Sequence, residues 1–410
     1  MALIAPLAQG DGLTIEAFLF ILVAILGSAK LLGELAERIG QPAVLGELVA
    51  GVLLGRSLLG IVDPSEEVIH LLAEVGVILL LFEIGLETDL RRLLKVGAAS
   101  SLVAVVGVAA PFVLGYLSAS YMGLSDLQAA VTGAALTATS VGITARVLSD
   151  LGRLQEPESQ IVLGAAVIDD VIGLIILAVV AQLVAGAEVT AGSVALTTAL
   201  AFGFLGITLL VGRLVIPPIF RWLEKLGRSS TLGTMALLLA FVTAYLADAA
   251  GSALIVGAFA AGLILAPTPQ AKPIQRGVVS LGQFFVPIFF VSVGAAVEVQ
   301  SFLQPGVLAI GLTLIAVAVV GKVAAGYAPV WFRGKKIVIG VGMVPRGEVG
   351  LIFAQMGLTA GVLDAGLFSA LTLMVMVTTF IAPPLLKALF PERAPAGPPP
   401  GGVAEMTTEV

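Results

Sequence analysis

Apolar residues run along this chain in long blocks, each close to the roughly twenty residues that a helix needs to cross a bilayer. Thirteen such blocks span residues 13–35, 43–61, 66–87, 96–119, 125–150, 156–184, 190–216, 229–249, 251–266, 277–296, 306–330, 335–359 and 365–390. The pattern predicts an all-α polytopic membrane protein with thirteen transmembrane helices, here called segments one to thirteen. Two of them carry helix-weakening residues near midspan. Segment five contains the Thr/Ser/Gly run LTATSVGITA from Leu136, and segment twelve contains VPRGEVG from Val344, with Pro345 and Gly347 two residues apart. Proline removes a backbone donor and glycine loosens the helix, so both are expected to unwind there. Small-residue spacings such as Gly51-x-x-x-Gly55 are expected to pack helices closely.

The links between blocks orient them. Taken alternately, one set of links holds Lys30, Arg38, Arg91, Arg92, Lys95, Arg146, Arg153, Arg213, Arg221, Lys225, Arg228, Lys272, Arg276, Arg333, Lys335, Lys336, Lys387 and Arg393. The other set holds only Arg56. Cytoplasmic loops carry the excess of Lys and Arg, so the N-terminus is expected outside and the C-terminus in the cytoplasm.

Composition sharpens this reading and removes others. The chain is 59% hydrophobic and 12% charged, against about 25% charged in a soluble domain. The net charge of −6 comes with no basic stripe, so no nucleic-acid partner is expected. There is no cysteine and one histidine, His70, which leaves no thiol chemistry, His-ligated metal centre or Ser-His-Asp triad. No cofactor and no enzymatic activity are expected. The N-terminus lacks the positive region of a signal peptide, and the Pro/Gly-rich residues 391–410 read as a disordered cytoplasmic tail.

The two halves resemble one another at an offset of about 209 residues. GELVAG from Gly46 matches GAFAAG from Gly257, and SVGI from Ser140 matches EVGL from Glu348. VIDDVIGLIIL from Val167 matches MVTTFIAPPLL from Met376, placing Thr378 and Thr379 at the positions of Asp169 and Asp170. Segments one to six would then recur as eight to thirteen. A shift by an odd number of spans reverses every helix, which makes an inverted-topology repeat. In such folds the binding site lies where corresponding helices are interrupted, here where the breaks of segments five and twelve cross.

Five residues near the midplane carry the candidate chemistry: Asp169 and Asp170 in segment six, Lys322 in segment eleven, and Arg346 with Glu348 beside it in segment twelve. A charge at the centre of a membrane helix costs about 2.5–3.5 kcal/mol on insertion scales, so a fold gains nothing from two adjacent carboxylates there. Buried carboxylates suit coordination of a hard monovalent cation and carriage of protons. If one carboxylate takes either ligand but not both, alternating access turns that competition into exchange. Asp169 and Asp170 point about 100° apart on their helix. The expected arrangement bridges Asp169 to Lys322 and puts Asp170 on the Na⁺ ion, with Thr139 and Ser140 completing the shell. Arg346 and Glu348 fit two readings: balancing the half-helix dipole ends at the breaks, or a purely structural ion pair.

The stretches LTATSVGITARVLSDLG, GAAVIDDVIGLI, VVGKVAAG and GMVPRGEVGLI resemble bacterial cation/proton antiporters of the NapA type, within the sodium/proton exchanger family that includes NhaA. The resemblance covers roughly residues 13–390. It implies an NhaA-like homodimer in the bacterial inner (plasma) membrane, with a core that moves in an elevator-like manner against a dimerisation domain. Carried onto this chain, it implies a dimerisation domain of residues 1–95 and 229–300, a core transport domain of 96–187 and 301–390, and a linker helix at 188–228. It further implies electrogenic exchange of Na⁺ or Li⁺ for H⁺, since paired aspartates with an intramembrane lysine mark the electrogenic members. A K⁺/H⁺ or broader monovalent cation exchanger remains an alternative on the same scaffold. An intramembrane aspartyl protease would need its aspartates on different helices facing one another, whereas these are adjacent.

Overall fold

In the computed structural model of the protein, the described residues are 14–390 apart from 40, 89–94, 185–190, 226–228, 251–253, 298, 303 and 347. They form helices throughout, with no strand among them. The first three are α1 (Ile15–Arg38), α2 (Ala43–Leu54) and α3 (Glu67–Glu87), followed by α4 (Gly97–Tyr121). The fifth segment is split into α5 (Asp126–Ala135) and α6 (Val141–Asp150). Then come α7 (Pro157–Val184), α8 (Ala191–Lys225), α9 (Ser229–Ala249), α10 (Leu254–Leu265) and α11 (Ala271–Ala295). A single turn, α12 (Val299–Phe302), precedes α13 (Pro305–Gly326). The twelfth segment is split into α14 (Lys336–Gly342) and α15 (Glu348–Thr359), and α16 (Ala365–Leu389) closes the described chain.

Local chemistry sets several of these boundaries. The Thr14 hydroxyl accepts from the Ala17 N–H to start α1, and the Asp364 carboxylate accepts from Leu367 N–H at 2.7 Å to start α16. Ser125 and Gln128 form a reciprocal capping box at α5. Among the described residues nine helices are long and apolar enough to cross a bilayer. Helices α2 and α10 are shorter. Their twelve residues rise only about 18 Å, well under the roughly 30 Å hydrocarbon layer. The second segment was expected to run to residue 61, but α2 stops at Leu54 and the chain turns out through Gly55 toward α3.

The helices pack in two groups. In one, α3 lies against α10 and α11, α2 against α1 and α11, and α9 against α10. In the other, α4 lies against α5, α7 and α13, while α16 lies against α13 and α15. Helix α8 touches α7 on one side and α9 and α10 on the other. The groups meet where α6 lies on α2 and α3.

The first group is joined backbone to backbone. A Cβ on Gly51 would sit 2.2 Å from Val291 O, and one on Gly294 would sit 2.1 Å from Leu48 O. With no hydrophobic driving force between helices in lipid, such close approach supplies the packing energy. Gly294→Ala should therefore force α2 and α11 apart, at about the 1–3 kcal/mol typical of overpacking. Thermal unfolding in detergent measures this; an unchanged midpoint would show that the α2–α11 seam relaxes freely.

Candidate functional site

The two interruptions meet inside the second group. After α5 ends, Thr137 bonds back through its hydroxyl to Ala134 O at 2.7 Å, competing with the main-chain ladder as Thr does in helices. Ser140 then starts α6 with extended backbone. On the other side, Pro345 has no N–H to give and disfavours helical geometry in Val344 before it. Backbone freed at this depth must find partners within the protein, and here each break supplies the other. Ser140 N–H donates to Pro345 O at 2.8 Å, and the Thr144 hydroxyl donates to Gly342 O at 2.7 Å. The Thr139 hydroxyl donates to Met343 O at 3.4 Å.

Arg346 completes this junction and is wholly buried. Its guanidinium donates to Ala138 O at 2.5 Å and to Ala318 O of α13 at 3.4 Å. Its own carbonyl accepts from the Thr379 hydroxyl of α16. Arg346 Nε has no hydrogen-bond partner among the described residues. Glu348 opens α15, but its side chain lies outside the described residues, as does Gly347.

Beside the junction, α7 and α13 bring an acid and a base together. Lys322 Nζ lies 3.3 Å from Asp169 Oδ1 and 3.5 Å from Oδ2. Lys322 is 0% exposed and Asp169 1%, so the pair is sealed from solvent. Gly107 of α4 packs beside the ammonium: a Cβ there would lie in ordinary contact, 3.6 Å from Nζ. Asp170 is also buried, at 8% exposure. Thr139 and Ser140 lie in the break, with their donors committed to the facing carbonyls. A donating hydroxyl keeps its lone pairs, so Thr139 can still accept or ligate.

Polar groups outside this set were less visible in the sequence. Thr144 and Thr379 are buried donors that hold the breaks; in the sequence only the Thr/Ser/Gly run marked the first and only its place in the repeat the second. Glu47 of α2 is buried in the seam facing α6, where Arg146 pairs with Asp150 at 3.0 Å. Glu83 of α3 has one carboxylate oxygen buried without a partner among the described residues. His70 is exposed, but it lies in the first turn of α3 and not in a loop.

A cavity of about 510 Å³ opens between the two groups at the end that carries the 55–66 loop. Arg56 and His70 line one side, with Leu351 and Gln355 of α15 and Thr372 of α16 on the other. Leu351 is three residues from the start of α15, so the cavity reaches within a turn of the break. In the loop, burial pushes the Asp63 carboxyl up, but hydrogen bonds from Arg56 and Ser65 outweigh this and hold it below the usual carboxylate range.

A family model described as "Sodium/hydrogen exchanger, transmembrane" matches residues 20–391. The chain is 42% identical to the high-affinity Na⁺/H⁺ antiporter NhaS3 of Synechocystis sp., covering 95% of this chain and 94% of that one. It is 39% identical to the Na⁺/H⁺-K⁺ antiporter GerN of Bacillus cereus, covering 91% and 96%. Among solved structures, the sodium proton antiporter MjNhaP1 of Methanocaldococcus jannaschii superimposes with a TM-score of 0.65. That match covers 92% of this chain and 96% of the other at 16% identity, a likeness of fold.

Proposed function

This chain belongs to the sodium/hydrogen exchanger family of cation/proton antiporters, and on that premise we propose that it exchanges Na⁺ or Li⁺ for H⁺ electrogenically by alternating access. The observation that carries the reading is the sealed Lys322–Asp169 pair, one residue from Asp170 and beside two broken helices. In the proton-loaded state Asp170 holds a proton and Lys322 is an ammonium bridged to Asp169. Na⁺ entering the site displaces the Asp170 proton and draws on Asp169. The bridge opens, and Lys322, buried and without its counter-charge, sheds a second proton, since burial disfavours an unpaired charge. Two protons then leave for each Na⁺ that enters, so one net charge moves per cycle. Thr139 and Ser140 supply neutral oxygens, while Arg346 and Glu348 brace the junction.

The packing of the helices in two groups supports a division into moving parts. Residues 1–95 and 229–300 form the dimerisation domain, 96–187 and 301–390 the core, and 188–228 the linker. Thirteen spans arranged as an inverted repeat fit the pairing of close contacts. The Gly51–Gly294 approach has its counterpart in Gly262–Gly85, and Gly115–Gly133 in Gly326–Gly340, with corresponding residues about 210 apart. The cavity at the 55–66 loop lies between core and dimerisation domain on the outer side, an entry route from outside in this state. The chain works as a homodimer in the bacterial inner membrane, N-terminus outside.

Proton movement in sealed proteoliposomes tests this reading, with Na⁺, Li⁺ or K⁺ added in turn and the membrane potential clamped or free. Na⁺ and Li⁺ should release trapped protons at a rate that follows the potential. Equal proton movement in protein-free vesicles would remove the reading. A response to K⁺ would favour the broader exchanger, which the name of the GerN relative makes the second reading.

A further inference from the structure

The repeat pairs Ala138 with Arg346 and Asp170 with Thr379, since Ser140 matches Glu348 and Asp169 matches Thr378. The structure gives the two paired carbonyls different donors. Ala138 O takes the Arg346 guanidinium, and Arg346 O takes the Thr379 hydroxyl. Arg346 is thus held at both ends: its side chain closes on one break, and its main chain is pinned from α16. Thr379 is fully buried, and its neighbour Thr378 bonds only into its own helix, to Met374 O at 2.8 Å and Val375 O at 3.0 Å. Thr379 alone of the pair reaches across.

The residue type matters at this position. A hydroxyl donates to a carbonyl, whereas an ionised carboxylate is acceptor-only and would repel it. Where one half of the repeat places an acid, the other needs a donor. The position matters as well, because the Arg346 guanidinium lies within electrostatic range of both Asp169 and Lys322. In a low-dielectric interior a displaced positive charge is felt strongly by its neighbours. A guanidinium released from Ala138 O would compete with an incoming cation for the carboxylates.

Resting on the exchange reading above, we propose that Thr379 is a positioning residue of the site. By holding the Arg346 carbonyl it keeps the guanidinium on Ala138 and away from the cation's ligands.

The test compares T379V and T379S with the wild type and with T378V, in full-length protein. Three quantities are read: the Na⁺ concentration at half-maximal thermal stabilisation in detergent, and the apparent KM and the maximal rate in proteoliposomes. T379V should raise the Na⁺ midpoint and KM roughly five- to tenfold, the factor carried by about one buried hydrogen bond, with maximal rate changed less. T379S should keep the wild-type midpoint, and T378V should do the same. The proposal is overturned if T379V lowers the unfolding temperature but leaves the Na⁺ midpoint unchanged, or if T379S loses as much as T379V. If the wild type moves no protons yet the T379V midpoint still shifts, the exchange reading fails and the positioning role stands.

Discussion

Asp170→Asn is expected to reduce cation-driven proton release to the level of protein-free vesicles while the protein stays folded. Asparagine keeps the shape and one carbonyl oxygen but neither binds a proton nor offers negative charge to Na⁺. Competition between the two ligands then disappears, and with it the coupling. Folding should not suffer, because replacing a buried carboxylate with a neutral isostere removes a desolvation cost instead of adding one. The unfolding midpoint should be unchanged or raised. Wild-type exchange in this variant would take Asp170 out of the site, and a loss of folded protein would assign it a structural part.

Lys322→Ala is expected to have two separable effects. The first is on stability: breaking a buried ion pair leaves Asp169 as an uncompensated charge, at a cost of about 3–5 kcal/mol. The second is on coupling: with no ammonium to deprotonate, one proton per cycle is lost and the rate should stop following the membrane potential. The double variant Asp169→Asn with Lys322→Ala separates the two. It removes both charges, so most of the lost stability should return, while voltage dependence should not. An electrogenic double variant would show that the second proton travels elsewhere.

Several features of this protein are legible one residue at a time, because their causes are local. Pro345 cannot donate and Thr137 competes for Ala134 O, so the helix breaks at both places are written into the chain. The long apolar blocks follow from the bilayer thickness, since uncharged stretches of that length have no other stable setting. Lys322 stood out because a lysine in an apolar block needs a counter-charge. Asp169 and Asp170 supplied two candidates that helix geometry alone does not separate.

Other features depend on what lies across a contact. Helix α2 ends at Leu54, short of its apolar block, because Gly55 turns the chain over α11: a Cβ on Gly55 would fall 2.6 Å from Ala295 O. Thr379 is marked in the sequence only by its place opposite Asp170 in the repeat, and its bond to Arg346 O exists only because α16 packs against that break. Glu47 carries no mark of burial in the sequence, yet packing against neighbouring helices covers it. By itself the sequence determined the membrane setting, the helical blocks, the orientation signal in the loops and the kinds of group available for chemistry. The tertiary structure alone decided that the two breaks satisfy one another and that Arg346 closes on Ala138. Hydropathy and helix propensity act along the chain, whereas a hydrogen bond across 200 residues exists only once both backbones have been placed.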